Sequence, residues 1–249
     1  MHIPDGFLSP QTYLPAYALC AGLWWVGLRR IKRELDADTL PTLAVLTALS
    51  FVLMMLALPL PGGTTVHAAG IALLAVNFGL WASFLAVSMV LAMQALLFGN
   101  GGVTALAVNA LAMGWVGSAS ARLVWRLIAP LSRNTPGRPK EGRYANRPLR
   151  LRGGRAGRSP ALGALREPAA LIAAGWVSVV LPALLVAGVL GMQPVIAHDA
   201  AGKPLFFPFD LAITLPAVLL PHVLLGLGEG VLTWLGTAYL QRLKHRHAT

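Results

Sequence analysis

The stretch "LWASFLAVSMVLAMQALLF" at residues 80–98 decides the fold class of this chain, because it contains no Asp, Glu, Lys or Arg. A helix needs about 20 mostly apolar residues to cross the roughly 30 Å of hydrocarbon in a bilayer. The whole chain is similarly apolar, with 56% hydrophobic and only 12% charged residues. Soluble domains carry about 25% charged residues. The sequence therefore predicts an all-α integral membrane protein.

Further apolar segments lie on both sides of residues 80–98. In chain order they cover about residues 11–28, 40–60, 68–79, 103–127, 168–190 and 211–240. The breaks "PGGTTVH" and "GNGG" contain the Pro and Gly residues that are typical of turns. With residues 80–98, these segments predict seven transmembrane helices.

The basic residues predict how the chain is oriented in the membrane. All but Lys203 fall into groups at residues 29–33, 122–126, 133–166 and 242–246. Cytoplasmic loops carry an excess of Lys and Arg. We therefore expect an external N-terminus, a cytoplasmic C-terminus and a multi-pass protein of the cytoplasmic (inner) membrane. This clustering also argues against nucleic acid as the partner of the net charge of +11.

The segment at residues 130–167 is rich in Arg, Gly and Pro and has no apolar periodicity. Such a composition predicts a flexible linker, which we place in the cytoplasm near anionic lipid headgroups. The linker is expected to interrupt a single transmembrane domain that covers residues 1–249. Cys20 is the only cysteine, which excludes a disulfide framework.

The opening residues "MHIPDGFLSP" contain a potential chelating group. They lack the basic lead and small-residue cleavage site of a signal peptide, so we expect the amine of Met1 to survive. This amine, the deprotonated amide of His2 and the His2 imidazole can bind one cation through a five-membered and a six-membered ring. His67 is predicted on the same side of the membrane and would supply a fourth nitrogen. Square-planar nitrogen coordination suits Ni(II), Cu(II) and low-spin Co(II).

Several polar residues are predicted to orient these imidazoles from outside the ligand set, as partners of metal-binding histidines commonly do. They are Asp5, Thr64, Asn77 and Asn100.

Four motifs resemble those of the CbiM/NikM family. They are "MHIPDGFLSP" at residues 1–10, "PGGTTVHAAG" at 61–70, "QALLFGNGGVTALAVNALAMGWVG" at 94–117 and "PHVLLGLGEGVLT" at 221–233. Proteins of this family are the substrate-capture components of energy-coupling-factor importers for cobalt and nickel. The resemblance implies a seven-helix fold and a metal held by Met1, His2 and His67. It also implies a transmembrane scaffold subunit, cytoplasmic ATPase subunits and a small accessory membrane protein as partners.

The sequence leaves nickel and cobalt open as the transported ion. Cobalt-type members commonly have "GTSGH", whereas this chain has "GTTVH" with Val66 beside the histidine. No other cofactor is predicted.

His222 and Glu229 support an alternative function. They lie two helical turns apart in the last apolar segment, and an ionisable residue inside a membrane is often functional. A stand-alone secondary transporter or channel would use this pair for cations. In the structural alternative, Glu229 pairs with His222 or with a backbone group and holds helices together.

An intramembrane enzyme is the third hypothesis, and the motifs argue against it. The sequence has neither the P-loop GxxxxGK[ST] nor HExxH, and "GWVGSASA" does not match the GxSxG nucleophile motif. We therefore predict that the protein is not an enzyme.

Overall fold

The computed structural model describes residues 2–60, 65–129 and 160–246, and most of these residues are helical. The helices are α1 (Pro10–Glu34), α2 (Leu40–Met55), α3 (Ile71–Phe78), α4 (Leu80–Phe98), α5 (Leu106–Asn109), α6 (Ser118–Ile128), α7 (Pro160–Gly191), α8 (Gln193–Ile196) and α9 (Leu211–Arg246). Residues 130–159 of the predicted linker lie outside the described residues, as do Met1 and Thr64.

Three shorter features connect these helices. A 3-10 helix, Ala37–Thr39, precedes α2, and a π-helical segment, Ala110–Gly117, joins α5 to α6. Strands β1 (Leu58–Pro59) and β2 (Thr65–Val66) pair antiparallel after α2. Each of the seven predicted apolar segments lies wholly or largely in helix, and the segment at residues 80–98 coincides with α4.

Four helical stretches of the described residues are long and apolar enough to cross a membrane. They are Ala37–Met55, Leu80–Phe98, Arg166–Ile196 and Leu211–Leu243. By contrast, α3 has eight residues and so extends only about 12 Å. The prediction of seven crossings, and of their orientation, therefore remains a prediction.

The outer surface of the bundle is apolar. Large side chains such as Val45, Leu96, Leu127 and Leu224 are exposed there. An apolar surface of this extent is unfavourable in water and is expected of a protein whose surroundings are lipid. The interior is filled by buried side chains that include Met54, Phe84 and Met113.

The packing of α9 against α7 depends on small residues. A Cβ atom added to Gly175 of α7 would lie 2.5 Å from the Cα of Gly230 in α9. Close backbone approach at small residues is a common way for membrane helices to associate. The indole nitrogen of Trp176 also donates a hydrogen bond to the carbonyl of Val223, at 3.1 Å. These contacts fix the helix that carries His222 and Glu229.

Candidate metal centre

The opening segment is buried inside the bundle. Ile3 and Leu8 are almost completely buried, in a cluster with Val186, Leu190 and Phe207. These contacts bring the segment from the start of the chain against α7 and the loop before α9. The burial of its apolar side chains is what holds an otherwise short extended segment in the protein.

The backbone of Ile3 is held by the side chain of Asn109. Its N–H donates to Oδ1 of Asn109 at 3.1 Å, and Nδ2 of Asn109 donates to its carbonyl at 3.2 Å. The N–H of Gly102 donates to the same carbonyl at 2.8 Å. The polar groups of this buried backbone are therefore paired, as burial requires.

The loop that follows α4 can approach the opening segment because residue 102 is glycine. A Cβ atom at Gly102 would lie 2.5 Å from the backbone nitrogen of Asp5 and 2.7 Å from the carbonyl carbon of Pro4. Backbone atoms cannot move aside as a flexible side chain can. The glycine-rich "GNGG" therefore turns the chain and also lets the backbone of Gly102 pack directly against that of Pro4 and Asp5.

Asp5 fastens the same loop. Its carboxylate accepts hydrogen bonds from the N–H of Val103 at 3.1 Å and from the N–H and hydroxyl of Thr104 at 2.8 and 2.6 Å. The sequence suggested instead that Asp5 orients an imidazole. Desolvation raises the pKa of Asp5, but the hydrogen bonds from Thr104 and Val103 outweigh it and hold the pKa below 3.8.

Asp5→Asn is expected to loosen residues 103–104 and to speed metal release about two- to tenfold, because an amide cannot accept all three hydrogen bonds. Since the pKa of Asp5 is lowered, its contribution is complete above the unfolded value of 3.8 and is lost as the pH falls below it. Amide hydrogen exchange at Val103 and Thr104 measures the change. The exposed Asp38→Asn is the matched control, and equal exchange in both variants would contradict the role of Asp5.

The imidazoles of His2 and His67 lie face to face, although 64 residues separate them in the chain. Their ring centroids are 4.5 Å apart, with an interplanar angle of 28°. Nδ1 of His2 lies 3.2 Å from Oδ1 of Asn100, and Nδ1 of His67 lies 3.2 Å from the carbonyl of Ala68. A protonated Nδ1 facing each oxygen leaves the lone pair on Nε2.

Both of these Nε2 atoms are buried and have no hydrogen-bond partner. Burial lowers the pKa of His2 to about 3. The ring of His2 is therefore neutral near pH 7, and neutral imidazole is the form that binds metals. A buried, unpaired nitrogen lone pair is costly unless something binds to it.

His222 and Glu229 contact different groups. Nδ1 of His222 donates to the carbonyl of Val218 at 2.7 Å. The carboxylate of Glu229 accepts hydrogen bonds from the N–H groups of Ala69, at 3.1 Å, and Gly70. Of the two structural alternatives that the sequence allowed for Glu229, the structure therefore has the bond to backbone.

Asn77 lies in α3 and contacts other groups than the imidazoles. Its Nδ2 donates to the carbonyl of Leu73 at 2.8 Å and to Oγ1 of Thr237 at 3.1 Å. Asn77 was expected to orient a metal ligand, but in the structure it forms a hydrogen bond that joins α3 to α9. Asn100 does contact His2, whereas Thr64 lies outside the described residues.

Within residues 2–60, 65–129 and 160–246, no three side chains of His, Cys, Asp or Glu form a group that could hold a metal. A site with more than two donors at His2 and His67 therefore needs donor atoms beyond these four kinds of side chain in the described residues. The predicted set supplies them from the amine of Met1 and the amide of His2.

Asn109 is the residue of this region whose role the sequence analysis missed. Its partner is the backbone of the opening segment. A signal was present in "GNGG" seven residues before Asn109, since glycine often marks a site where another backbone approaches closely.

A helical bundle with an apolar outer surface thus brings two buried imidazoles together beside the opening segment, and imidazole is a common ligand of transition metals. A family model described as "Cobalt uptake substrate-specific transmembrane region" matches residues 2–247. The chain therefore belongs to the CbiM family, which is a cobalt and nickel transport family rather than an enzyme family.

Individual relatives agree with this assignment. The chain is 38% identical to the fused nickel transport protein NikMN of Rhodobacter capsulatus, over 97% of this chain and 62% of the relative. It is also 38% identical to the probable fused nickel transport protein LarMN of Lactiplantibacillus plantarum, over 98% of this chain and 65% of the relative. The chain thus spans less than two thirds of the length of these two relatives.

One solved structure is similar to this chain over nearly the whole length of both proteins. It is described as a truncated transition metal transporter, and the match covers 98% of this chain and 99% of that chain. The TM-score is 0.80 and the sequence identity 32%.

Proposed function

We propose that this protein is the substrate-capture subunit of an energy-coupling-factor importer for nickel or cobalt. The metal is held in a square plane by the amine of Met1, the amide and imidazole of His2 and the imidazole of His67. One observation carries the proposal: the ring of His67, whose buried Nε2 has no hydrogen-bond partner, is stacked on the ring of His2 with the centroids 4.5 Å apart.

Metal binding involves an exchange of contacts at His2. The six-membered chelate ring would use Nδ1 of His2, the atom that lies 3.2 Å from Oδ1 of Asn100. His2 would then carry its ring proton on Nε2, and the proton of its amide would be released to solvent as the metal binds. His67 can bind through its Nε2 without giving up the contact of its Nδ1 with Ala68.

The proposed arrangement in the membrane has seven crossings within one domain, an external N-terminus and a cytoplasmic C-terminus. The third crossing combines the short α3 with the non-helical residues 65–70. Non-helical backbone is tolerated at membrane depth where it is buried in protein. Support comes from the burial of Val66, His67, Ala69 and Gly70 and from the hydrogen bonds of Ala69 and Gly70 to Glu229.

The proposed partners are a transmembrane scaffold subunit, cytoplasmic ATPase subunits and a small accessory membrane protein in the cytoplasmic (inner) membrane. The basic segment at residues 130–167 is proposed to face the cytoplasm near anionic lipid. The fused nickel transport relatives and the cobalt uptake family support nickel and cobalt as the transported ions. The metal is cargo in this proposal, and no resident cofactor is needed.

The purified protein with Met1 as its first residue is expected to bind about one Ni(II) or Co(II) per chain, because the four nitrogens form a single square-planar site. Metal analysis gives the stoichiometry, and the visible ligand-field absorption of the Ni(II) form reports the geometry. His198→Ala, which removes an exposed histidine, is the control and should bind equally. An octahedral spectrum, or no bound metal, would refute the proposed site.

A further inference from the structure

The carboxylate of Glu229 lies at the start of α3. Its two oxygens accept hydrogen bonds from the N–H groups of Ala69 and Gly70, and Gly70 caps α3. The first N–H groups of a helix have no partner within the helix. A negative charge at this end is favoured by the helix dipole. Glu229 is completely buried, so these backbone groups replace the water that it has lost.

The other end of α3 carries the opposite charge. Nη1 of Arg122 in α6 donates to the carbonyl of Ala75, in the last turn of α3, at 3.1 Å. A Cβ atom on Gly79, the residue that follows α3, would lie 3.1 Å from this Nη1, so the guanidinium lies directly over the helix end. A cation at a helix C-terminus is also favoured by the dipole.

Close packing also holds α3 against α9 and against the end of the π-helical segment that leads into α6. A Cβ atom on Gly236 of α9 would lie 2.9 Å from the side chain of Leu73, and one on Gly117 would lie 3.2 Å from that of Ile71. Asn77 adds its hydrogen bond to Thr237. The charges at the two ends and the packing between them leave α3 little freedom to shift.

The hydrogen bonds of Glu229 affect the position of His67 through the short stretch of backbone between them. Ala69 and Gly70 are the second and third residues after His67, so the hydrogen bonds of Glu229 limit how far His67 can move. The ring of His67 also lies against Ala68 and His2. A four-nitrogen plane tolerates little displacement of one donor, because the lone pair has to point at the metal within the plane.

We propose that Glu229 is a positioning residue for the metal centre, which acts by clamping the backbone just after His67, and that Arg122 supports this clamp from the far end of α3. The inference rests on the proposed function. It assigns Glu229 a structural task for the site, and the metal itself does not contact the carboxylate.

Glu229→Gln is expected to increase amide exchange at residues 69–71 in the metal-free protein, because an amide accepts at only one of its two positions. Metal release is expected to become about 10- to 100-fold faster, which is the usual effect of losing an outer partner of a metal ligand. The square-planar spectrum of bound Ni(II) should be retained, because all four nitrogens remain. Glu167→Gln is the matched control, since Glu167 bonds Gln241 at the far end of α9.

Arg122 provides an independent test should Glu229→Gln fail to fold. Arg122→Gln is expected to speed metal release, and Arg122→Lys to restore most of the wild-type rate by keeping the charge. The exposed Arg126→Gln on the same helix should behave as wild type. Increased exchange at residues 69–71 with unchanged metal release would overturn the inference, as would wild-type behaviour of both Glu229→Gln and Arg122→Gln.

The outcomes separate this inference from the proposed function. If His67→Ala retains its metal, the proposed site is wrong whatever Glu229 does. If His67→Ala loses its metal and Glu229→Gln releases it at the wild-type rate, the site stands and the positioning role of Glu229 falls.

Discussion

Replacing His67 with alanine is expected to abolish stoichiometric binding of Ni(II) and Co(II). Loss of an outer partner of a metal ligand costs about 10- to 100-fold in affinity, and loss of a ligand itself should cost more. The buried Nε2 of His67, which has no hydrogen-bond partner, is the fourth nitrogen of the proposed plane and is removed by this change. Equilibrium dialysis with metal analysis measures the loss, and the square-planar spectrum should disappear with it.

His67→Gln separates ligation from packing. Glutamine fills much of the volume of the ring, so the fully buried position should not collapse as it can with alanine. Glutamine is a poor ligand for these metals compared with imidazole. We therefore expect a protein with near wild-type thermal unfolding and strongly reduced metal binding. Full binding by His67→Gln would show that the fourth nitrogen comes from elsewhere.

His222→Ala distinguishes the capture site from the alternative of a secondary transporter. His222 also has a buried Nε2 without a partner, so it remains the other candidate imidazole. In the proposed function, His222→Ala keeps one metal per chain with the same spectrum. If metal is lost in His222→Ala and kept in His67→Ala, the mid-membrane alternative is favoured. Against that alternative, the oxygens of Glu229 already accept hydrogen bonds from backbone N–H groups.

The helix positions could be predicted from the sequence where a helix consists of one long apolar run, because crossing the bilayer requires such a run. The run at residues 80–98 and the start of the last helix at Leu211 coincide with the structure. The first helix was predicted to end near residue 28 but continues to Glu34. An apolar run marks the part of a helix that contacts lipid, whereas the helix can continue into charged residues. Arg29 is one such charged residue in the helix, and its guanidinium lies 3.7 Å from the ring centroid of Trp25.

The start of α7 differs from the prediction. The sixth apolar segment was predicted to cover about residues 168–190 from its hydrophobicity alone. In the structure, Pro168 lies inside a helix that begins at Pro160. The short pairing of β1 with β2 and the π-helical segment also had no signal, because two-residue strands and a local change of helix type leave hydrophobic periodicity unchanged.

The site was only partly predictable because its contacts join distant parts of the chain. Charge placement put His2 and His67 on one side of the membrane, and the structure brings their rings together. Which polar residue meets which backbone could not be inferred in this way. Asn109 contacts a residue 106 positions away, and Glu229 contacts one 160 positions away. Such pairings depend on how the helices pack, which a single sequence does not specify.

An Ala-Pro pair placed ahead of Met1 is expected to eliminate the square-planar site while leaving every native side chain in place. The extension converts the amine of Met1 into an amide and moves the free amine two residues away, and the proline nitrogen carries no N–H, so the new terminus cannot build a replacement chelate from its own amides. The five-membered ring between amine and amide can then no longer form with the His2 amide as its second donor. We expect the extended protein to bind Ni(II) more than 100-fold more weakly, since an entire chelate ring is lost rather than one outer contact.

The matched control is the same polypeptide after removal of the extension. A longer tag that ends at the cleavage site of a protease leaving no extra residue gives blocked and native forms from one preparation. Binding that returns on cleavage would assign the amine as a ligand, because folding, side chains and detergent are identical in the two samples. Equal binding before and after cleavage would remove the amine from the ligand set. The burial of Ile3 and Leu8 would then reflect packing of the opening segment alone.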